Sequence, residues 1–175
     1  MARSSNKQIY EDEVKVIDEL QKNAKESIDI IAKNCGYSRQ KLWRIINKLE
    51  ENKTIWGYAA IVDEEKQGLK SYTILIKRTT LPIDEKLADK IITRQLENSA
   101  SEIGIKIGHS MFTHGTFDWI ICFKAKDMQH AKKFIEVINE TYWGYIGELH
   151  MMETLFPIRK QGILNPKIEK LKEFL

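Results

Sequence analysis

The tightest constraint in this chain is a pair of serines set around a glycine. Ser27 precedes Ile28, Ile31 and Ala32; Gly36 follows; then Ser38 precedes Leu42, Ile45, Ile46 and Leu49. A serine just before a run of helically spaced apolar residues accepts the first free amides of a helix, and a glycine just past such a run takes the left-handed conformation that ends it. The spacing therefore predicts a short helix stopped at Gly36 and a longer one from Ser38 to near Asn52. Upstream, Val14, Ile17 and Leu20, helped by Val16, recur at helical intervals over residues 13–23, with Lys15, Glu19 and Lys22 on the other side. Three helices in sequence, the last two joined by a glycine turn, describe a helix-turn-helix.

Once Leu42, Ile45, Ile46 and Leu49 face inward, the outward arc of the third helix carries Arg39, Gln40, Trp43, Arg44 and Asn47. Lys41 and Lys48 flank it, and no acid appears until Glu50. Arginine bonds guanine bidentately, glutamine and asparagine pair with adenine edges, and exposed lysine suits phosphate. The N-terminal half of a groove-inserted helix usually enters the groove, which selects Ser38, Arg39, Gln40, Trp43 and Arg44 and leaves Asn47 and Lys48 for backbone contact. The plain alternative is a solvated helix face. Trp43 stays open between a core position and contact with thymine methyls or sugars. The formal net charge is only +3, which argues against an all-over polycation and makes the placement of charge matter more than its sum.

Residues 55–62, rich in β-branched and aromatic side chains, read as a strand. Residues 63–70, with Gly68, form the turn that separates an N-terminal domain, 1–63, from a second domain, 64–175. In the second domain the pattern predicts a strand over 71–77, a helix from Pro82 through Asn98, and a strand over 103–112 holding Gly104 and Gly108. A hairpin over 113–116, with Gly115 at positive φ, then leads to a strand over 117–123. Asp127 caps a helix to about Thr141 that buries Met128, Ala131, Phe134, Ile135 and Ile138, and a last strand over 146–158 is interrupted near Pro157. The order βαββαβ is that of a ferredoxin-like sandwich, so the fold class is α+β. Its helices cover one sheet face; a second subunit is the simplest cover for the other. Ile168, Leu171 and Phe174 predict a short amphipathic helix in the tail.

No apolar run approaches the roughly 20 residues of a membrane span, and residues 1–8 lack the apolar core of a signal peptide, so the expectation is a cytoplasmic protein without membrane contact. Cys35 and Cys122 stand far apart with no ligand spacing, which favours neither a disulfide nor a metal. His109, His114 and His150 fall near one end of the sheet, also without a metal-ligand spacing, and His130 lies on an outer helix face. No nucleophile triad, paired carboxylate or phosphate loop is evident. The expectation is accordingly a non-enzymatic protein needing no cofactor.

The stretch Ser38-Arg39-Gln40-Lys41-Leu42-Trp43-Arg44-Ile45-Ile46-Asn47-Lys48-Leu49-Glu50, followed by Ile55-Trp56-Gly57-Tyr58 and Asp63, resembles the Lrp/AsnC feast/famine transcription regulators. Gly115-Thr116-Phe117-Asp118, with the apolar strand and Asp127-led helix behind it, resembles the signature of that family's effector domain. The resemblance implies a winged helix-turn-helix linked through a strand to a ferredoxin-like domain that dimerises through its sheet, often assembling into tetramers or octamers. It implies binding to pseudo-palindromic, often A/T-rich, double-stranded DNA. It also implies an amino-acid or related small-molecule effector held between dimers, with Gly115 and Asp118 in the pocket loop. Leu149, His150 and Met151 stand where many members carry a polar, threonine-containing stretch, which makes Met151 the third candidate effector contact. The other reading of Gly115 and Asp118 is a hairpin turn in which the aspartate bonds nearby amides. The tail beyond Gly162 is longer than the family pattern. Two other functions share this pattern: an enzyme resembling the siroheme decarboxylases, which have the same architecture, and an architectural protein that coats DNA without an effector.

Overall fold

In the computed structural model, which describes residues 6–175, the first three helices close on one apolar cluster. They are α1 (Asn6–Lys22), α2 (Ile28–Cys35) and α3 (Arg39–Glu51). Val16, Ile31, Ala32, Cys35, Leu42, Ile45, Ile46 and Leu49 form the buried centre, with Ile17, Leu20, Ile28, Tyr37 and Ile55 packed around it. The ends of the short helices are chemically specified. The Ser27 hydroxyl accepts from the Ile30 amide at 3.3 Å and the Ser38 hydroxyl from the Lys41 amide at 3.2 Å. Gly36 ends α2 at φ 69° and donates to the carbonyls of Ala32 and Lys33. The first helix differs from expectation. It starts at Asn6, its buried row is Asp12 and Val16, and Val14 is exposed. Side chains four apart share a helix face, whereas two apart they diverge, so choosing Val16 as the inward residue turns Val14 out.

After α3 the chain turns through Lys53, at φ 61°, and the Ile55 amide reaches back to the Leu49 carbonyl at 3.0 Å. Residues 56–63 then run without ladder pairing, so the strand expected over 55–62 is not formed. Strand geometry is a property of pairs, and among the described residues no other segment pairs with it.

Contacts divide the chain between Ile61 and Val62. The second unit begins with a 3₁₀ turn, Glu64–Gln67, which Asp63 caps and Gly68 ends at φ 65°. There follow β1 (Lys70–Arg78), α4 (Glu85–Ile92), α5 (Gln95–Glu102), β2 (Lys106–Phe112), β3 (Trp119–Ala125), α6 (Met128–Thr141) and β4 (Ile146–Glu153). The sheet order is β2-β3-β1-β4, antiparallel throughout.

Several boundaries depart from the sequence reading. Asp84 rather than Pro82 opens α4, its carboxylate accepting from the Leu87 amide at 2.9 Å. The single helix expected to Asn98 is two helices, broken where Arg94 takes φ 57°. Gly104 lies outside β2, in the turn after α5, at φ 74°. Gly108 sits where the β2–β3 register shifts between Ile107 and His109. Gly115 is not among the positive-φ residues. The connection runs from Thr113 to Asp118, closed by the Thr113 amide on the Asp118 carbonyl at 2.9 Å, and a loop of this length turns without a left-handed glycine. In α6, Ala131, Phe134, Ile138 and Thr141 are buried while Met128 is exposed. The last strand stops at Glu153. Beyond it a small hairpin, β5 (Arg159–Lys160) with β6 (Ile163–Leu164), precedes a 3₁₀ segment, Ile168–Phe174, where an amphipathic helix was expected.

Strand alternation gives the sheet two unlike faces. Tyr72, Ile74 and Ile76 of β1 align with Phe123, Ile121 and Trp119 of β3 and pack under the helices. Thr73 and Leu75 align with Cys122 and Ile120 on the opposite face, continued by His109 and Met111 from β2 and by His150 and Met152 from β4. Met111 and Met152 are 44% and 50% exposed. No helix among the described residues is long and apolar enough to cross a membrane.

The helix-covered core should be sensitive to any loss of volume. Phe134 is fully buried with its ring 4.8 Å from that of Phe123. Phe134→Ala is expected to cost about 3–5 kcal/mol in urea unfolding; a loss under about 1 kcal/mol would mean that the site collapses around the smaller side chain.

Candidate nucleic-acid interface

The serine cap, the apolar row and the glycine turn together fix which side of α3 faces outward. Arg39, Gln40, Trp43, Arg44, Asn47 and Lys48 are exposed, and Lys41 is half-buried. Trp43, left open by its chemistry, lies on the surface at 47% exposure rather than in the core. The Ser38 hydroxyl oxygen accepts in the cap, which leaves its O–H able to donate.

The acids around α3 divide its cations. The Lys41 ammonium lies 2.5 Å from Asp12 and 3.9 Å from the centre of the Tyr37 ring. Lys48 donates to Glu13 at 2.7 Å, and Arg39 stands 3.6 Å from Asp29 at the start of α2. Among the described residues, Arg44 is the cation of α3 without a carboxylate partner. Lys41, expected to face phosphate, is instead tied to α1 and to the turn.

Asp12 is the centre of this arrangement and was not legible as such in the sequence. Its carboxylate accepts from Lys41, from the Tyr37 hydroxyl at 2.8 Å and from Gln8 at 3.1 Å, joining α1, the turn and α3. The Lys41 hydrogen bond above all, with Tyr37 and Gln8 adding to it and burial opposing, holds the carboxyl below its ordinary value of 3.8. Burial, then the bond to Asp12, pushes the Tyr37 hydroxyl up to about 12. At the far end of α3, Tyr58 donates to Glu50 at 2.9 Å. The available signal was positional: Asp12 lies four residues before Val16, on the inward row.

The candidate effector residues are not gathered at one place. Gly115 and Asp118 share the β2–β3 loop. Asp118 accepts from the Arg78 amide at 2.8 Å, with the Arg78 guanidinium 3.8 Å away, so its carboxylate ties the β2–β3 loop to the end of β1 rather than bonding the amides of its own turn. Met151 aligns with Ile74 and packs against the helix-covered core. Ile74 lies four residues along β1 from Arg78, about 13 Å at strand rise.

Residues 13–55 match the winged helix-turn-helix DNA-binding family. The chain is 25% identical over 135 residues to the leucine-responsive regulatory protein of Haemophilus influenzae, covering 77% of each. The chain thus carries a winged helix-turn-helix DNA-binding domain and over most of its length is similar to a transcription regulator of the Lrp type. An AsnC family regulator from Agrobacterium tumefaciens superposes at a TM-score of 0.65 with 20% identity, over 89% of this chain and 96% of that one. A transcriptional regulator from Neisseria meningitidis, solved with L-methionine, superposes at 0.64 with 15% identity, over 94% and 97%. These two likenesses extend the Lrp/AsnC fold over both units of the chain.

The Asp12 hub is expected to make the helix-turn-helix acid-sensitive. A carboxyl whose folded value is depressed contributes stability above its unfolded value, and that contribution disappears as pH falls through the folded one. Asp12→Asn is therefore expected to lower the thermal midpoint at pH 7 and to flatten its decline below about pH 4. Parallel melting curves for the two proteins across that window would show that Asp12 carries no linked proton.

Proposed function

We propose that this chain is an Lrp/AsnC-type regulator that binds double-stranded DNA as a homodimer, each α3 entering the major groove of one half-site. The observation that carries the reading is the outward face of α3, where Gln40, Trp43, Arg44 and Asn47 stand exposed and Arg44 has no acid partner among the described residues. Arg44 and Gln40 are the base readers, Arg39 joins them by leaving Asp29, and Ser38, Asn47 and Lys48 hold the phosphate backbone. Lys41 serves the fold first. Residues 1–63 read DNA in the cytoplasm and residues 64–175 pair the readers.

The mainly apolar sheet face formed by Leu75, Ile120, Cys122, Met111 and Met152, with Thr73, His109 and His150 among them, supports that pairing. An apolar sheet face with a second copy across it is a self-complementary surface of the kind that two-fold dimers use. Paired half-sites then lie about one DNA turn, roughly 34 Å, apart. Higher assembly into tetramers or octamers and control by an amino acid belong to the same reading. The Neisseria meningitidis regulator was solved with L-methionine, which makes L-methionine the first effector to try, with the Gly115–Asp118 loop as its expected contact.

Selection from random duplex should return a two-fold symmetric motif, and affinity should fall with salt at a slope of roughly −0.9 per neutralised phosphate. Arg44→Ala is expected to weaken binding to that motif by about 1–3 kcal/mol in a gel-shift titration. Lys48→Ala, whose charge Glu13 already offsets, should change it by less. No enrichment of any motif would overturn the reading, and continuous protection in footprinting would favour a DNA-coating protein instead.

A further inference from the structure

The unpaired segment 56–63 enters the second unit at Val62 to Gly68, and two of the three lysines that hold this entry come from the far end of the chain. Glu64 is buried, 7% exposed, and its carboxylate is bonded by both Lys160 and Lys124, the latter at 2.9 Å. The Lys160 ammonium also approaches the Val62 carbonyl at 3.4 Å. Lys167 pairs with Asp63 at 2.5 Å, while Asp63 caps the 3₁₀ turn. Two of the three lysines therefore belong to the tail.

That tail is built rather than trailing. The β5–β6 hairpin turns through Gln161 at φ 45° and Gly162 at φ 84°, left-handed residues at both central positions, which is the pattern of a tight two-residue hairpin. Asn165 donates its side-chain amide to the Pro157 carbonyl at 2.8 Å and its backbone amide to the Ile158 carbonyl at 3.0 Å. The rings of Phe156 and Phe174 lie 5.4 Å apart. A folded hairpin thus presents Lys160 to a buried carboxylate, and removing Lys160 would leave Glu64 with Lys124 as its remaining cation.

We infer that the C-terminal tail is a strap that fixes the direction in which the linker leaves the second unit, and that it thereby sets the half-site spacing a dimer accepts. The inference rests on the dimeric reading above. Two reading units joined by loose linkers tolerate many separations, whereas a fixed exit concentrates them at one. The lysines act on DNA only through Asp63, Glu64 and Val62, so they are positioning residues for spacing rather than contacts.

The test uses the full chain and duplexes carrying two copies of the selected half-site, either at the selected spacing or with a 5-base-pair insertion, about half a turn. Wild type is expected to discriminate between them by about 30-fold or more, and Lys160→Met with Lys167→Met by less than about 3-fold, as effective concentration at the preferred spacing is lost. Affinity for an isolated half-site should stay within about 2-fold, because α3 is untouched. Lys160→Arg with Lys167→Arg should restore discrimination. Lys167→Met alone breaks only a partly exposed pair, which costs the fold little, and should give an intermediate loss. Undiminished discrimination in both methionine variants would overturn the strap. A wild type that binds one half-site as tightly as two would instead overturn the dimeric reading, and the strap with it.

Discussion

Along β1 and β3 every second side chain is sealed under helices and every other one is not, and most of the second unit follows from that alternation. Tyr72, Ile74 and Ile76 with Trp119, Ile121 and Phe123 require an apolar cover, which α4, α5 and α6 provide through Leu87, Leu96, Ala100, Phe134 and Ile138. A one-residue slip in register would exchange the two faces completely, so the sheet has little freedom in how it is assembled. The same constraint leaves Thr73, Leu75, Ile120 and Cys122 on the opposite face, away from α4, α5 and α6. The sheet face proposed above for pairing is thus a consequence of how the core is made.

The first unit is organised by a different principle. Its apolar cluster is small, and polar groups complete it: two serine hydroxyls on helix ends, a left-handed glycine, and the Asp12 carboxylate shared among Gln8, Tyr37 and Lys41. Charge-assisted hydrogen bonds of this kind give geometric definition where packing alone is thin. The orientation of α3 therefore depends on electrostatics as well as on burial.

Much of this was legible because it is local. Ser27, Gly36, Ser38 and Asp127 announce helix ends by rules that need only neighbouring residues, and all four occupy those places. The ferredoxin-like order of elements likewise followed from periodicity. What the sequence hid is non-local. The strand over residues 55–62 has the right composition, but composition does not supply a partner. The break at Arg94 and the ordinary φ of Gly115 were decided by packing and loop length rather than by the identity of either residue. In the interface, Arg39, Lys41 and Lys48 looked equally free because their acids, Asp29, Asp12 and Glu13, lie on other helices. The tail's grip on Glu64 spans nearly a hundred positions in sequence and left no periodic trace.

The acids beside α3 bear on how such a regulator would search a genome. Grip on random duplex scales with the number of phosphates a protein neutralises. Lysines already satisfied within the fold add less to it than their count suggests. A reader that holds arbitrary sequence weakly leaves it sooner, while the base contacts proposed for Arg44 would be realised only at the right site. Internal neutralisation would then raise the ratio of specific to non-specific occupancy without strengthening a single contact to the operator.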